Sequence, residues 1–223
     1  MYEQGKLTET RVAIMGSGYT PMIFRFGTRY TDVFLAFCIF DTKPFSVYIL
    51  ARAASLLIPL SLSVLERKIA PRLRSLAGIE NQMMFRSAAA RVNLSYMMVC
   101  GALILMAMCA ARFLAHDSGP DGTAFAGVLL WFVIGQSAPV VFGATGLLMR
   151  VVDRGVFCDL LQGLMAVFFS ISIAVIGAKD PQDVAQILAV AQLTHAAYCA
   201  LLLTKCGVWP GITALFHKEI KIF

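Results

Sequence analysis

Residues 20–65 read TPMIFRFGTRYTDVFLAFCIFDTKPFSVYILARAASLLIPLSLSVL, two apolar runs joined by Asp41-Thr42-Lys43-Pro44. Each run is long enough to cross a bilayer as a helix. Each also carries charge: Arg25, Arg29 and Asp32 in the first, Arg52 in the second. Ionisable groups inside a span are costly, so they face a bundle interior or a watery cavity and mark a pathway.

The rest of the chain continues in the same style. Of 223 residues, 59% are hydrophobic and 14% charged, with mean hydropathy +0.76. A soluble domain carries about 25% charge. Only helices and closed barrels satisfy their backbone in lipid, and the apolar runs are continuous rather than alternating. The expected class is therefore an all-α polytopic membrane protein.

Spans are expected over residues 20–40, 45–65, 92–114, 124–149, 156–177 and 183–204. A polar lead (1–19) precedes this six-helix bundle (20–205), and a tail (206–223) follows it on the membrane surface or in the cytoplasm. Residues 41–44 are expected as a tight turn, and residues 116–123 (HDSGPDGT) as another. Residues 66–91 read as a basic connection with a short interfacial helix after Pro71. Pro59 should kink the second span.

Cation placement gives the orientation. Lys6, Arg11, Arg67, Lys68, Arg72, Arg74, Arg86, Arg91, Arg150, Arg154, Lys205, Lys218 and Lys221 all fall on one side of a six-span chain. Lys43, Arg112 and Lys179 fall on the other. Both termini are then cytoplasmic. The net charge of +6 reflects this topology, and no nucleic-acid partner is expected.

Arg25, Arg29 and Asp32 follow i, i+4, i+7 and share one helix face. Arg25 alone could equally snorkel to the interface. Asp32 and Arg52 lie at a similar depth, about 12 Å from the outer surface, on adjacent antiparallel helices. They are expected to pair or to share a cavity, and a purely structural ion pair is the alternative. Gly135-Gln136-Ser137-Ala138-Pro139 interrupts the fourth span, where polar groups line a cavity or re-satisfy the backbone freed by Pro139. An ordinary proline kink reads the same way. Gln192 and His195 share a face of the sixth span with Cys199. His195 is either a coupling residue or a hydrogen-bonding partner across helices. Asp159 is expected to pair with Arg154 or Arg150.

The six cysteines follow no CxxC or Cys/His ligand spacing and read as small packing residues, with no metal site expected. No HExxH, GxSxG, P-loop or paired catalytic carboxylates occur, so an enzyme is not expected and no cofactor is implied.

Tyr48-Ile49-Leu50-Ala51-Arg52-Ala53, then Pro59, then Lys68-Ile69-Ala70-Pro71-Arg72-Leu73 resembles a helix-plus-loop passage of the polysaccharide exporters in the multidrug/oligosaccharidyl-lipid/polysaccharide (MOP) flippase superfamily. Val141 to Met149 is similar to that family's passage before a short cytoplasmic turn. Asp32, in Tyr30-Thr31-Asp32-Val33-Phe34-Leu35, stands where these proteins often place an acidic residue in the first helix of their second half. The resemblance covers about residues 20–205. It departs at Val152-Asp153-Arg154-Gly155, where the family has a different glycine-containing turn. It departs also in length, since family members have two six-helix bundles and this chain resembles the C-terminal one.

The resemblance implies alternating-access export of a lipid-linked oligosaccharide for envelope polysaccharide or lipopolysaccharide across a bacterial inner membrane. Arg25, Arg29 and Arg52 would bind the pyrophosphate of the carrier lipid, with Asp32 and His195 in ion pairing or coupling. Gln136, Ser137, Pro139 and Gln192 are the cavity-lining candidates. Partners would be the lipid bilayer, the carrier lipid, and either an N-terminal six-helix half or a second copy. The other readings are a drug/cation antiporter of the same superfamily and a non-transporting scaffold subunit of an envelope-polysaccharide assembly.

Overall fold

The computed structural model describes residues 30–77, 82–117 and 119–208, and every regular element among them is helical. The helices are α1 (Tyr30–Ile39), α2 (Thr42–Ser55), α3 (Leu57–Leu76), α4 (Gln82–Asp117) and α5 (Gly119–Gln136). They continue with α6 (Ala138–Phe142), α7 (Thr145–Val151), α8 (Gly155–Ile176) and α9 (Pro181–Lys205). Five stretches are long and apolar enough to cross a membrane: Thr42–Leu76, Met83–His116, Gly119–Phe142, Gly155–Ile176 and Pro181–Lys205. The chain thus has the architecture of a multi-pass, all-α membrane protein. The first expected span is described only from Tyr30, and its earlier half, with Arg25 and Arg29, lies outside the described residues.

Several expected loops are helix instead. Thr42–Leu76 extends over 35 residues, about 52 Å at 1.5 Å per residue, against a hydrocarbon core of about 30 Å. The basic residues Arg67, Lys68, Arg72 and Arg74 therefore ride on a helical overhang rather than in a loop. No interfacial helix starts after Pro71, because α3 runs through it to Leu76. Pro71 is exposed, so the carbonyl it leaves without an N–H partner can be hydrated, which lowers the cost of proline inside a helix. Pro44 and Pro120 likewise sit inside first turns, where a missing N–H costs nothing. The expected turns at 41–44 and 116–123 shrink accordingly. Pro59 acts as expected: the helix breaks at Leu56, three residues before it.

α5 and α9 form the centre. α5 packs against α4, α9 and α2, and α9 also meets α8, α7 and α6. Close approach of the two is set by glycine. A Cβ on Gly135 would collide with the Gln192 side chain and come within 3.0 Å of Ala189 Cα. α8 packs chiefly against α9 and α7. Its outer face, with Leu160, Leu164, Val167, Phe168 and Ile171, is exposed.

Charged side chains meet at both ends of the bundle. Lys43 Nζ lies 2.9 Å from Asp121, joining the α1–α2 link to the start of α5. At the opposite end Arg150 lies 3.9 Å from Glu66. Arg86 Nη2 comes within 3.1 Å of where a Cβ on Gly207 would stand, at that same end.

Candidate functional site

α1 and α2 form an antiparallel hairpin that brings Asp32 against Arg52. Arg52 Nε donates to Asp32 Oδ2 at 2.8 Å, and Tyr48 Oη donates to the same oxygen at 3.3 Å. Tyr48 precedes Arg52 by one helical turn, so both reach Asp32 from one face of α2. Tyr48 is fully buried, Asp32 is 3% exposed and Arg52 8%. The guanidinium carbon lies 5.5 Å from the centre of the Phe132 ring on α5, and Tyr48 meets that ring edge-on at 5.2 Å. A desolvated cation over an aromatic face gains about 2 kcal/mol. Arg52 Nη1, however, is buried with no hydrogen-bond partner. A buried charged donor left unpaired is costly, and Arg52 is one of the residues that line a cavity.

That cavity has a volume of about 450 Å³, within the range of sites for small ligands or headgroups. Asp32, Arg52, Gln136, Pro139, Gln192 and His195 all line it, so six of the sequence candidates converge. Ser137 is not among the lining residues. Its hydroxyl donates back to the Ile134 carbonyl at 2.6 Å. Thr31, Arg150, Asp159 and Gln162 also line the cavity. Asp159 was expected beside Arg154 or Arg150; it shares the cavity lining with Arg150, whose guanidinium lies 3.9 Å from Glu66.

The fourth span is interrupted twice. α5 stops at Gln136, α6 spans only Ala138–Phe142, and α7 begins at Thr145. At the first break Pro139 has no N–H to give, and the Gln136 carbonyl takes the Cys100 thiol at 3.4 Å. At the second break Gly143 adopts φ 69°, ψ −158°, a region open essentially to glycine alone. There the Ala144 N–H donates to the Asn93 side-chain oxygen at 2.9 Å. Asn93, 1% exposed on α4, caps this break and was not among the residues singled out from the sequence. An asparagine between Val92 and Leu94 was its available signal.

The cysteines are placed less blandly than expected. Cys158 Sγ on α8 lies 3.7 Å from Cys199 Sγ and 3.8 Å from His195 Nε2, both on α9. Cys199 Sγ lies 3.7 Å from the same nitrogen. No spacing rule finds this cluster, because Cys158 and His195 are 37 residues apart.

Compared with protein-family models, curated proteins and solved structures, the chain matches none.

Proposed function

We propose that this chain is a six-span half of a membrane exporter whose cavity receives the pyrophosphate end of a lipid-linked oligosaccharide, in a bacterial inner membrane. The observation that carries the reading is the buried Arg52 guanidinium, without a partner at Nη1, on a residue that lines the cavity. A phosphate oxygen supplies the acceptor this group lacks, and a guanidinium suits phosphate because its donors form a rigid fork. Asp32 and Tyr48 fix that fork in place.

The basic end of the bundle, with Arg67, Arg86 and Arg150, is cytoplasmic by the positive-inside rule, which puts both termini there. The twice-broken fourth span supports a transporter, since non-helical backbone at membrane depth is tolerated where it lines a cavity. The facing wall then belongs to an N-terminal half or to a second copy. No covalent chemistry is needed.

A cation antiporter is favoured by one observation, that Asp32 and Asp159 line the same cavity as Arg52 and Arg150. Against it, Asp32 Oδ2 is already held by Arg52 and Tyr48. A scaffold subunit would have no use for an unpaired guanidinium donor.

Binding of a polyprenyl diphosphate, with the uncharged polyprenol as control, tests the reading in protein reconstituted into nanodiscs. Arg52→Ala should weaken diphosphate binding by roughly thirtyfold or more, as truncating one member of a buried charge pair does. Polyprenol binding and the exposed Lys43→Ala variant should be unaffected. Equal binding of both lipids by the unaltered protein, or full diphosphate binding by Arg52→Ala, would refute it.

A further inference from the structure

We propose that Cys158, Cys199 and His195 form a zinc site that pins α8 to α9 beside the cavity. The three donor atoms make a nearly equilateral triangle, with sides of 3.7, 3.7 and 3.8 Å. The centre of such a triangle is ~2.2 Å from each corner, against Zn–S of ~2.3 Å and Zn–N of ~2.0–2.1 Å. An ion bonded to all three stands ~0.6 Å out of their plane, the pyramidal arrangement of three ligands in a tetrahedron with a fourth position left over. Packing alone does not require three ligating atoms to converge on one point.

The donor set selects the ion. Two thiolates and an imidazole suit thiophilic d10 cations, and hard oxygen-seeking ions are disfavoured. Two thiolate charges cancel those of Zn2+, which makes the centre neutral. In an apolar surrounding a neutral centre avoids the cost of a buried net charge, whereas Cu+ would leave one negative charge uncompensated. The binding reaction balances as Zn2+ plus two thiols plus neutral imidazole giving the zinc dithiolate and two released protons. When His195 Nε2 carries a proton it donates to the Cys158 carbonyl at 3.3 Å. Ligation places that proton on Nδ1 instead. His195 also lines the cavity, which provides the ion with a way in and room for water as its fourth ligand.

The placement has a mechanical meaning. α8 leans chiefly on α9 and α7, with a broad apolar face turned outward. One ion bridging Cys158 to His195 and Cys199 ties it to the central helix. The site depends only on this geometry and stands or falls separately from the transport reading.

The test is Co2+ titration of the full chain, reduced and purified in detergent. Thiolate-to-cobalt charge transfer and the visible bands of tetrahedral cobalt should saturate at one ion per chain, and Zn2+ should displace the colour. Cys158→Ser, Cys199→Ser and His195→Gln should each weaken binding by more than roughly tenfold, a loss that even outer-shell changes at metal sites produce. Cys109→Ser, at an exposed position on α4, should bind as the unaltered chain does. A measurement without variants guards against misfolding: the reduced, metal-stripped chain should release two protons per Zn2+ taken up, read with a pH indicator. Absence of charge transfer while both thiols are reduced overturns the proposal. So does a Cys158–Cys199 disulfide that forms in air in preference to metal binding, or Zn2+ uptake without proton release.

Discussion

The side-chain oxygen of Asn93 accepts the backbone N–H of Ala144 at 2.9 Å, across 51 residues of chain. The bond stitches α4 to the second break in the fourth span. Inside a membrane no water replaces such a partner, so the amide would be left bare without it. Replacing Asn93 with Leu should cost about 1–3 kcal/mol, the penalty for a buried unsatisfied donor. Thermal unfolding in detergent measures it. Asn93→Asp, which keeps the acceptor oxygen, should be milder when protonated.

Gly143 precedes that amide with φ 69° and ψ −158°. Gly143→Ala should destabilise by about 1–3 kcal/mol, because an L residue is strained there. Gly146→Ala is the control. Its added Cβ meets nothing within 4 Å, so its unfolding temperature should match or exceed that of the unaltered chain.

The Asp32–Arg52 pair should show strong coupling. Either Asp32→Asn or Arg52→Gln alone leaves a buried charge facing no counter-charge, at about 3–5 kcal/mol. Both together remove the two charges at once and should cost clearly less than the sum. A double-mutant cycle on unfolding free energies reads the difference, and simple additivity would show that the pair does not interact.

Gly135→Ala should push α5 away from α9, since its Cβ meets the Gln192 side chain and the Ala189 backbone. Adding Gln192→Ala removes the first obstacle and leaves the second. The double variant should therefore recover only part of the lost stability, as read from thermal unfolding of both proteins.

Sidedness can be read directly. In a background without native cysteines, Cys placed at Lys43 or Asp121 should react with an impermeant maleimide from one face of the membrane. Cys at Glu66 or Arg150 should react from the opposite face. Labelling of position 43 and position 150 from the same side would contradict the span order.

Much of this was legible along the chain. Hydropathy located the apolar stretches, and equal depth from a shared turn brought Asp32 and Arg52 together as candidates. Loop lengths were misread, because Pro44, Pro71 and Pro120 signal turns in a sequence but sit harmlessly in first turns or where water can reach the backbone. Cys158 and Cys199 read as small packing residues in the sequence, and Asn93 is not singled out there. Their meaning depends on residues far away in sequence.

The sequence by itself determined that this is an all-α protein with membrane-length helices, and in what order they run. Those properties follow from the solvent preference of short contiguous stretches, and each stretch carries its own signal. The tertiary structure alone decided which face of each helix looks inward. It set the cavity at the Asp32–Arg52 hairpin, the cap of Asn93 on Ala144, and the triangle of Cys158, Cys199 and His195. The cap belongs to the second break in the fourth span, and the triangle to the packing of α8 on α9. Helix rotation and approach are set by many side chains at once, and no local pattern encodes them.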